Sequence, residues 1–277
     1  MANAPTKPTS PVKKEKNSSG LFATLTIPIC IVVAILIFVF ILGDPSHYEG
    51  GDVEKGTADF FGRIHRGGNL VPLILSYILM VIVFSIERFL VIGKATGTSN
   101  IDAFVRKIQS LLNSGNIDGA VAECDKQKGS VANVIRAGLK KYREMENETG
   151  LDIDQKTLAI QKDIEEATSL EMPMLEQNLT IIATLVSIGT LTGLLGTVFG
   201  MIAAFSSLAS SGAASSTALS AAISEALVNT ALGITTSATS IVMYNVFTSK
   251  IDNLTYAIDE TGFSIVQTFA ASHKHSR

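Results

Sequence analysis

The sequence has no tryptophan and few charged side chains. Asp, Glu, Lys and Arg make up 17% of the 277 residues, whereas a soluble globular domain carries about 25%. The deficit comes from long apolar runs, and the mean hydropathy is +0.35. This composition excludes an ordinary soluble domain and predicts an integral membrane protein. The formal net charge of −3 averages segments on two sides of a membrane, and we predict no nucleic-acid partner.

Cysteines and catalytic clusters are equally scarce. Cys30 lies in an apolar segment and Cys124 in a charged one, so we predict two unpaired thiols rather than a disulfide framework. His47 and His65 are isolated in a polar segment, and we expect them to be solvated rather than metal-bound. The sequence shows no cluster of nucleophile, base or metal ligands. We therefore predict that the protein is not an enzyme and binds no cofactor or metal.

Four apolar runs are long enough to cross a bilayer, which takes about 20 helical residues. The first run follows a basic tail and could be a signal peptide, but its length and the lack of a small-residue cleavage site favour a retained anchor. Irregular backbone cannot face lipid, so we predict an all-α integral membrane protein. The predicted order is a disordered tail at 1–20, transmembrane helices at 21–42 and 70–92 joined by a loop at 43–69, a helical domain at 93–178, transmembrane helices at 179–209 and 218–248 joined by a turn at 210–217, and a C-terminal amphipathic helix and tail at 249–277.

The region between the second and third runs is polar and helical. Residues 95–177 carry 10 Lys or Arg and 14 Asp or Glu. Apolar residues recur there at helical spacing, as at Phe104 and Ile108. The sequence Asn113–Asn116 ends this helix, and a second helix spans Ile117–Lys126. The spacing therefore predicts a domain of short amphipathic helices outside the membrane.

The last two transmembrane helices are expected to be long and to extend into this helical domain. Ser130 could cap a third short helix. From about Asp154 the pattern predicts one continuous helix that enters the third apolar run, with a kink at Pro173. Lysines near the span ends predict that both termini and the helical domain lie in the cytoplasm. The loop at 43–69 and the turn at 210–217 would then lie outside the cytoplasm.

One charged residue stands out in the last two runs. The 73 residues between Glu176 and Lys250 carry a single charged side chain, that of Glu225. A carboxyl group at membrane depth is expensive and marks a functional site by default. Because these runs contain no Lys or Arg that could neutralise it, the carboxyl must face water, hydroxyl groups, a partner subunit or a proton. We therefore expect ion movement or a polar contact within the membrane.

Two hydroxyl groups lie at matched depth near this carboxyl. Thr197 and Thr230 are each about a dozen residues from the turn, or roughly 18–20 Å at 1.5 Å per residue, and Glu225 is about 7–8 Å nearer the turn. Copies of the chain around an axis would place a ring of carboxyls above a ring of hydroxyls, as in pores that select and relay ions. Small residues are predicted to let the last two helices approach closely, at Gly189, Gly193, Gly196 and Gly200.

The motifs of these helices resemble the MotA/TolQ/ExbB proton-channel family. Gly193–Met201 reads GLLGTVFGM, similar to the family's GLLGTVxGM motif, and Glu225–Gly233 followed by Tyr244-Asn245 resembles its EALxxTAxG…YN helix. Ile86–Phe89 is similar to the IER ending of the family's first span, and Asn116–Tyr142 is similar to its cytoplasmic region. The resemblance covers about residues 70–250 and is closest to an ExbB subunit with an extra N-terminal transmembrane helix.

The resemblance implies a homopentameric ring in the bacterial inner membrane. Its pore would enclose two copies of an ExbD/TolR-type single-span protein, whose Asp picks up and releases protons. Thr197, Glu225 and Thr230 align with the family's pore-lining positions. Proton flow would rotate the partner and power a TonB-type transducer for outer-membrane import.

The chain also departs from the family, and alternatives stay open. The prolines that the family often has before the GLLGT motif and before Tyr-Asn are absent. Asn229 replaces a small apolar residue and adds pore-adjacent polarity beside Glu225. A TolQ-like subunit for envelope integrity differs only in its partner, and a flagellar or gliding stator is a further variant. A non-conducting scaffold would use Glu225 only for hydrogen bonding, and a solute transporter is disfavoured because neither an internal repeat nor a pair of broken helices is visible.

Overall fold

The computed structural model describes residues 18–49, 57–211 and 216–274 and is helical almost throughout. The only β pairing in these ranges is a single bridge between Tyr48 and Thr57, which confirms the predicted all-α class. The helices are α1 (Ser18–Leu36), continued by a π-helix (Ile37–Leu42), a 3₁₀ turn (Pro45–His47), α2 (Phe60–His65), a 3₁₀ turn (Gly68–Leu70), α3 (Val71–Thr96), α4 (Ile101–Asn113), α5 (Ile117–Gln127), α6 (Gly129–Asn147), α7 (Ile153–Glu176), α8 (Leu179–Ser211) and α9 (Ser216–Lys274).

Four of these helices are long and apolar enough to cross a membrane. They are α1 with its π-helical extension, α3, α8 and α9, so the four predicted membrane-spanning helices are confirmed and the protein is a multi-pass membrane protein. The predicted disordered tail, apart from residues 18–20, lies outside the described residues, as do positions 50–56 of the predicted loop, 212–215 of the predicted turn and 275–277 of the C-terminal tail.

The extra first helix, α1, packs on α3 along one face. Cys30 and Ala34 are buried in that contact, and Phe22 meets Phe84 edge to face with ring centroids 6.1 Å apart. Most other large apolar side chains of α1 are exposed, as at Leu25. Such a helix belongs at the periphery of the chain, where lipid can cover its open face.

The segment that precedes the third apolar run differs from the prediction of one kinked helix. α7 ends at Glu176 and α8 begins at Leu179, while Asn178 adopts the left-handed conformation with φ 63°. Pro173 lies inside α7 and does not end it. The predicted continuous helix is therefore wrong: the chain breaks five residues after Pro173, where a residue type that tolerates positive φ can end a helix.

Arg88 stabilises this break from α3. Its side chain is 1% exposed, and its Nη1 donates to the carbonyl oxygens of Met174 and Leu175 at 3.0 and 3.2 Å. These carbonyls belong to the last turn of α7, which has no intrahelical donors for them. Glu87 pairs with the guanidinium and accepts a 3.4 Å hydrogen bond from the Asn178 amide. The buried guanidinium therefore caps the C-terminal end of α7.

The final helix runs unbroken from its apolar run into the helical domain, as expected of the last transmembrane helix. α9 runs for 59 residues without a proline, or about 88 Å at 1.5 Å per residue. It joins the predicted span at 218–248 and the predicted C-terminal amphipathic helix in one element. Apolar residues on one face of its second half are buried, at Leu254, Ile258, Ile265 and Phe269, whereas Tyr256 and Phe263 on this half are exposed.

α4 to α7 and the second half of α9 form one helical domain. Its core contains Ile108, Ile135, Leu139 and Ile160, each fully buried. α4 ends at Asn113 as the Asn-Ser-Gly-Asn sequence predicted. The proposed cap for α6 is wrong: the helix begins at Gly129, one residue before Ser130, and Lys128 precedes it without a side-chain hydrogen bond.

Candidate functional site

α8 and α9 form an antiparallel hairpin whose contact surface is made of small residues. A Cβ added to Gly189, Gly193, Gly196 or Gly200 would come within 3.0 Å of an atom of α9. All four glycines therefore face α9, which is the position that a helix-packing role requires. The closest approach is at Gly196, where such a Cβ would lie 2.4 Å from Cβ of Asn229.

The candidate hydroxyl groups of the hairpin hold different positions. Thr230 is half-buried, and its Oγ1 donates across the hairpin to the Gly193 carbonyl at 3.1 Å. Thr197 is also half-buried, but its Oγ1 donates to the Leu194 carbonyl of its own helix at 2.6 Å. Within a single chain, Thr230 therefore links the two helices, whereas Thr197 keeps its hydroxyl at the surface of α8.

Asn229 is the most enclosed polar side chain near the carboxyl. It is 1% exposed and packs against Gly196. Its Nδ2 donates at 2.8 Å to the carbonyl oxygen of Gly67, a residue 162 positions earlier in the chain. Its Oδ1 is buried and has no hydrogen-bond partner within the described ranges. Asn229 therefore joins α8, α9 and the turn before α3 inside one chain, and it was predicted as a pore-adjacent residue.

The carboxyl group of Glu225 lies against the same turn. Gly68 has φ +77°, and a Cβ built on it would be 2.0 Å from Oε1 of Glu225. A Cβ built on Gly67 would be 2.9 Å from Cγ1 of Val228. Glu225 itself is half-buried. The turn at residues 67 and 68 therefore covers one side of the carboxyl and packs on α9 between Glu225 and Asn229.

This turn and the residues before it form a folded unit, which we call the cap segment and define as residues 43–49 and 57–70. His47 Nδ1 and Asp59 Oδ2 are 2.7 Å apart, and Asp59 also caps α2 by accepting from the Gly62 amide at 3.0 Å. His65 hydrogen-bonds the hydroxyl of Tyr48 through Nδ1 and packs on the Phe38 ring with centroids 4.4 Å apart.

The predicted solvation of the two histidines is wrong, because both are paired within the cap segment. Burial lowers the pKa of His65 below its ordinary value, since the charged form loses hydration. Burial likewise raises the pKa of the Tyr48 hydroxyl. Within the described residues, no group of three or more His, Cys, Asp or Glu is placed to bind a metal ion.

Sequence reasoning missed the glycine turn and the cap of α7. Gly67-Gly68 is a turn signal that stands directly before an apolar run, and this signal could have marked a tight turn at the end of the loop. Its contact with Glu225 could not be read from the sequence, because the two sites are more than 150 residues apart. The structure brings Glu225, Asn229 and Thr230 together on α9 and places Thr197 on the neighbouring helix α8.

Comparison with known proteins identifies relatives of the region that contains this site. Residues 126–260 match the sequence model of the MotA/TolQ/ExbB proton channel family. The chain is 27% identical over 154 residues to the Tol-Pal system protein TolQ of Pseudomonas aeruginosa, an alignment that covers 56% of this chain and 67% of that protein. It is 39% identical over 88 residues to the biopolymer transport protein ExbB-like 3 of Synechocystis sp., which covers 31% of this chain and 42% of that protein.

Proposed function

Because residues 126–260 belong to the MotA/TolQ/ExbB proton channel family, as their motifs predicted, we propose that the chain is a proton-conducting stator subunit of an energy-transducing motor. In this proposal the chain lies in the bacterial inner membrane with both termini in the cytoplasm. It passes protons rather than catalysing a reaction. Proton motive force would be coupled through an ExbD-type partner to a TonB-type transducer for outer-membrane import.

The observation that carries this proposal is the position of Glu225. Its carboxyl is the single charge in the 73 residues between Glu176 and Lys250, and it is half-buried on α9 within the family region. A carboxyl that binds and releases protons suits a relay, because each transfer needs a group that titrates inside a low-dielectric path. Thr230, five residues or about 1.4 helical turns farther along α9, and Thr197 on α8 would extend that path with hydroxyl groups.

The exposed surface of α8 supports an assembly of several copies. Large apolar side chains remain uncovered along this helix, at Leu191, Leu194, Val198, Phe199, Ile202 and Phe205. In a membrane, lipid or neighbouring subunits must cover them. We propose a homopentamer whose central pore is lined by α8 and α9. Two copies of an ExbD/TolR-type single-span protein would occupy that pore.

A TolQ-like role in envelope integrity is the second candidate. The match to TolQ of Pseudomonas aeruginosa extends over a larger share of this chain than the match to ExbB-like 3, at 56% against 31%. The two roles use the same proton path and differ in the partner that receives the motion. Co-purification with an ExbD-type or with a TolR-type partner separates them.

The test of the common proposal is proton flux in liposomes that contain the chain and its partner. We expect flux that needs the partner and that falls when Glu225→Gln removes the titrating group. In a scaffold that uses Glu225 only for hydrogen bonding, the amide would preserve function. An intact complex that conducts no protons in either form would contradict the proposal.

A further inference from the structure

The turn before α3 is the part of the cap segment that reaches the carboxyl. Gly67 ends the turn that follows α2, because its amide donates to the Ile64 carbonyl at 2.9 Å. α2 is held in turn by the Asp59 cap and by the pairing of His65 with Tyr48. The position of the turn is therefore set by folded structure on its N-terminal side and by α3 on its C-terminal side.

The contact between Gly68 and Glu225 leaves no room for a side chain. A φ of +77° is a conformation that L residues rarely adopt, and any Cβ at position 68 would lie 2.0 Å from Oε1 and 2.8 Å from Cδ of Glu225. Real contacts of this kind do not come closer than about 3 Å, since repulsion rises steeply below van der Waals separation. The atom in the way is the end of a flexible side chain, so the carboxyl would move rather than the backbone.

A hydrogen bond from Asn229 holds the Gly67–Gly68 turn on α9. Glu225 and Asn229 are four residues apart and share one face of α9. Asn229 donates to the Gly67 carbonyl at 2.8 Å and is 1% exposed, so this hydrogen bond is shielded from water and strong. The side chain of Val228 also lies against Gly67 and supports the turn there.

We propose that the Gly67–Gly68 turn positions the carboxyl of Glu225, with Asn229 as the anchor that holds the turn on α9. Gly67, Gly68 and Asn229 are thus positioning residues that act through Glu225. The consequence for conduction rests on the proposed proton path. The contact itself does not rest on it and can be measured in a protein that conducts nothing.

The direct test is the rate at which dicyclohexylcarbodiimide, an apolar carboxyl reagent, labels Glu225 in the purified complex, followed by mass spectrometry. Glu225 is the only carboxyl side chain between Glu176 and Lys250, so the modified peptide is unambiguous. Gly68→Ala is expected to raise the labelling rate several-fold, because the carboxyl leaves its cover. An unchanged rate would overturn the proposal.

The chain offers a matched control for backbone strain. Gly115 has φ +71°, and nothing lies within 4 Å of a Cβ built on it. Gly115→Ala therefore introduces the same kind of strain in the helical domain without a collision, and labelling should stay at the wild-type rate. A rise as large as that of Gly68→Ala would show that strain, and not contact with Glu225, is responsible.

The anchor can be tested in the same way. Asn229→Ala removes the hydrogen bond to Gly67, and we expect labelling to rise as in Gly68→Ala. Asn245, exposed on the same helix, provides the control variant Asn245→Ala, which should label at the wild-type rate. A wild-type rate in Asn229→Ala would refute the anchoring role.

Shortening the acidic side chain at position 225 distinguishes a collision with the carboxyl from other effects of Gly68→Ala. Glu225→Asp withdraws the carboxyl from the turn by about one C–C bond, roughly 1.5 Å. In that background, adding Gly68→Ala should change the labelling rate far less than it does in the wild-type background. An equal change in both backgrounds would contradict positioning through the carboxyl.

Proton flux then connects the contact to conduction. With the partner present, Gly68→Ala should reduce flux about tenfold and shift its pH profile, since a displacement near 1 Å in a proton-transfer site is costly. Gly115→Ala should leave both unchanged. Wild-type liposomes without flux would refute the proposed function and leave the labelling result standing. Wild-type flux and pH profile in Gly68→Ala would refute the positioning role and leave the proposed function standing.

Discussion

Replacement of the buried arginine of α3 tests the packing that joins the membrane helices to the helical domain. In Arg88→Met the aliphatic stem is kept and the guanidinium is lost. Its two hydrogen bonds to α7, which go to the carbonyls of Met174 and Leu175 at 3.0 and 3.2 Å, disappear, and so does its ion pair with Glu87. Both carbonyls end α7 and have no intrahelical donor to replace the guanidinium.

The loss of stability in Arg88→Met can be estimated from these contacts. A hydrogen bond from a charged donor contributes about 1.5–3 kcal/mol, so two such bonds contribute about 3–6 kcal/mol. Removing a buried charge recovers part of the desolvation penalty, although Glu87 is left without its partner, and the net loss is about 2–4 kcal/mol. For a protein of this size that loss corresponds to a fall in Tm of about 4–16 °C.

The assay can use the two buried thiols as reporters, which suits a chain without tryptophan. Cys30 and Cys124 are 4% and 2% exposed, so a maleimide dye that fluoresces on conjugation reports unfolding during a thermal ramp in detergent. Arg106, an exposed residue of α4, supplies the control variant Arg106→Met, which should change stability by less than about 0.5 kcal/mol. A Tm for Arg88→Met equal to that of the control would refute the capping role of Arg88.

Three further predictions follow from the structure. Thr230→Val and Thr197→Val should fold and assemble but lose energy transduction, and wild-type growth in a transport-dependent strain would exclude them from the path. Burial holds the pKa of His65 below its usual value of about 6.5, so the unfolded segment binds more protons between the two values and the stability of the cap segment is lost as pH falls through this window. The protection factors of the amides in residues 57–66, which correct the exchange rates for the intrinsic effect of pH, should therefore fall from pH 7.5 to 5.5, and His65→Phe should flatten this dependence. Burial raises the pKa of the Cys124 thiol to about 12, so folded protein should resist iodoacetamide at pH 8, and rapid alkylation without unfolding would contradict this burial.

The long-range pattern of the sequence predicted most of the fold. Four apolar runs gave four membrane-spanning helices because span length is fixed by bilayer thickness. The Asn113–Asn116 break and the helical spacing of Phe104 and Ile108 likewise depend on local chemistry, and both appear in the structure.

The features that sequence reasoning missed depend on contacts between distant segments. The break at Asn178 is stabilised by Arg88, about 90 residues earlier, so the local sequence did not show that the helix would be interrupted there. The histidines looked isolated because their partners, Tyr48 and Asp59, are brought to them only when the cap segment folds.

In the candidate site, too, local features could be predicted from the sequence, whereas contacts between distant segments could not. Glu225 was identified from composition alone, since a single charge among apolar residues is informative without a structure. The contact of its carboxyl with Gly68 and the hydrogen bond from Asn229 to Gly67 could be identified only from the folded structure. Thr230 and Thr197 came from depth arithmetic, which fixes height along a helix but not the direction of the side chain.

Proton flux with and without Glu225→Gln tests the central claim most directly. The chain and its single-span partner are reconstituted in liposomes with a pH-sensitive dye inside, and Glu166→Gln, an exposed carboxyl in the helical domain, serves as the control. The account predicts partner-dependent flux in wild type and control and a loss of flux in Glu225→Gln with the complex intact. Equal flux in all three proteins would show that the carboxyl of Glu225 does not carry protons.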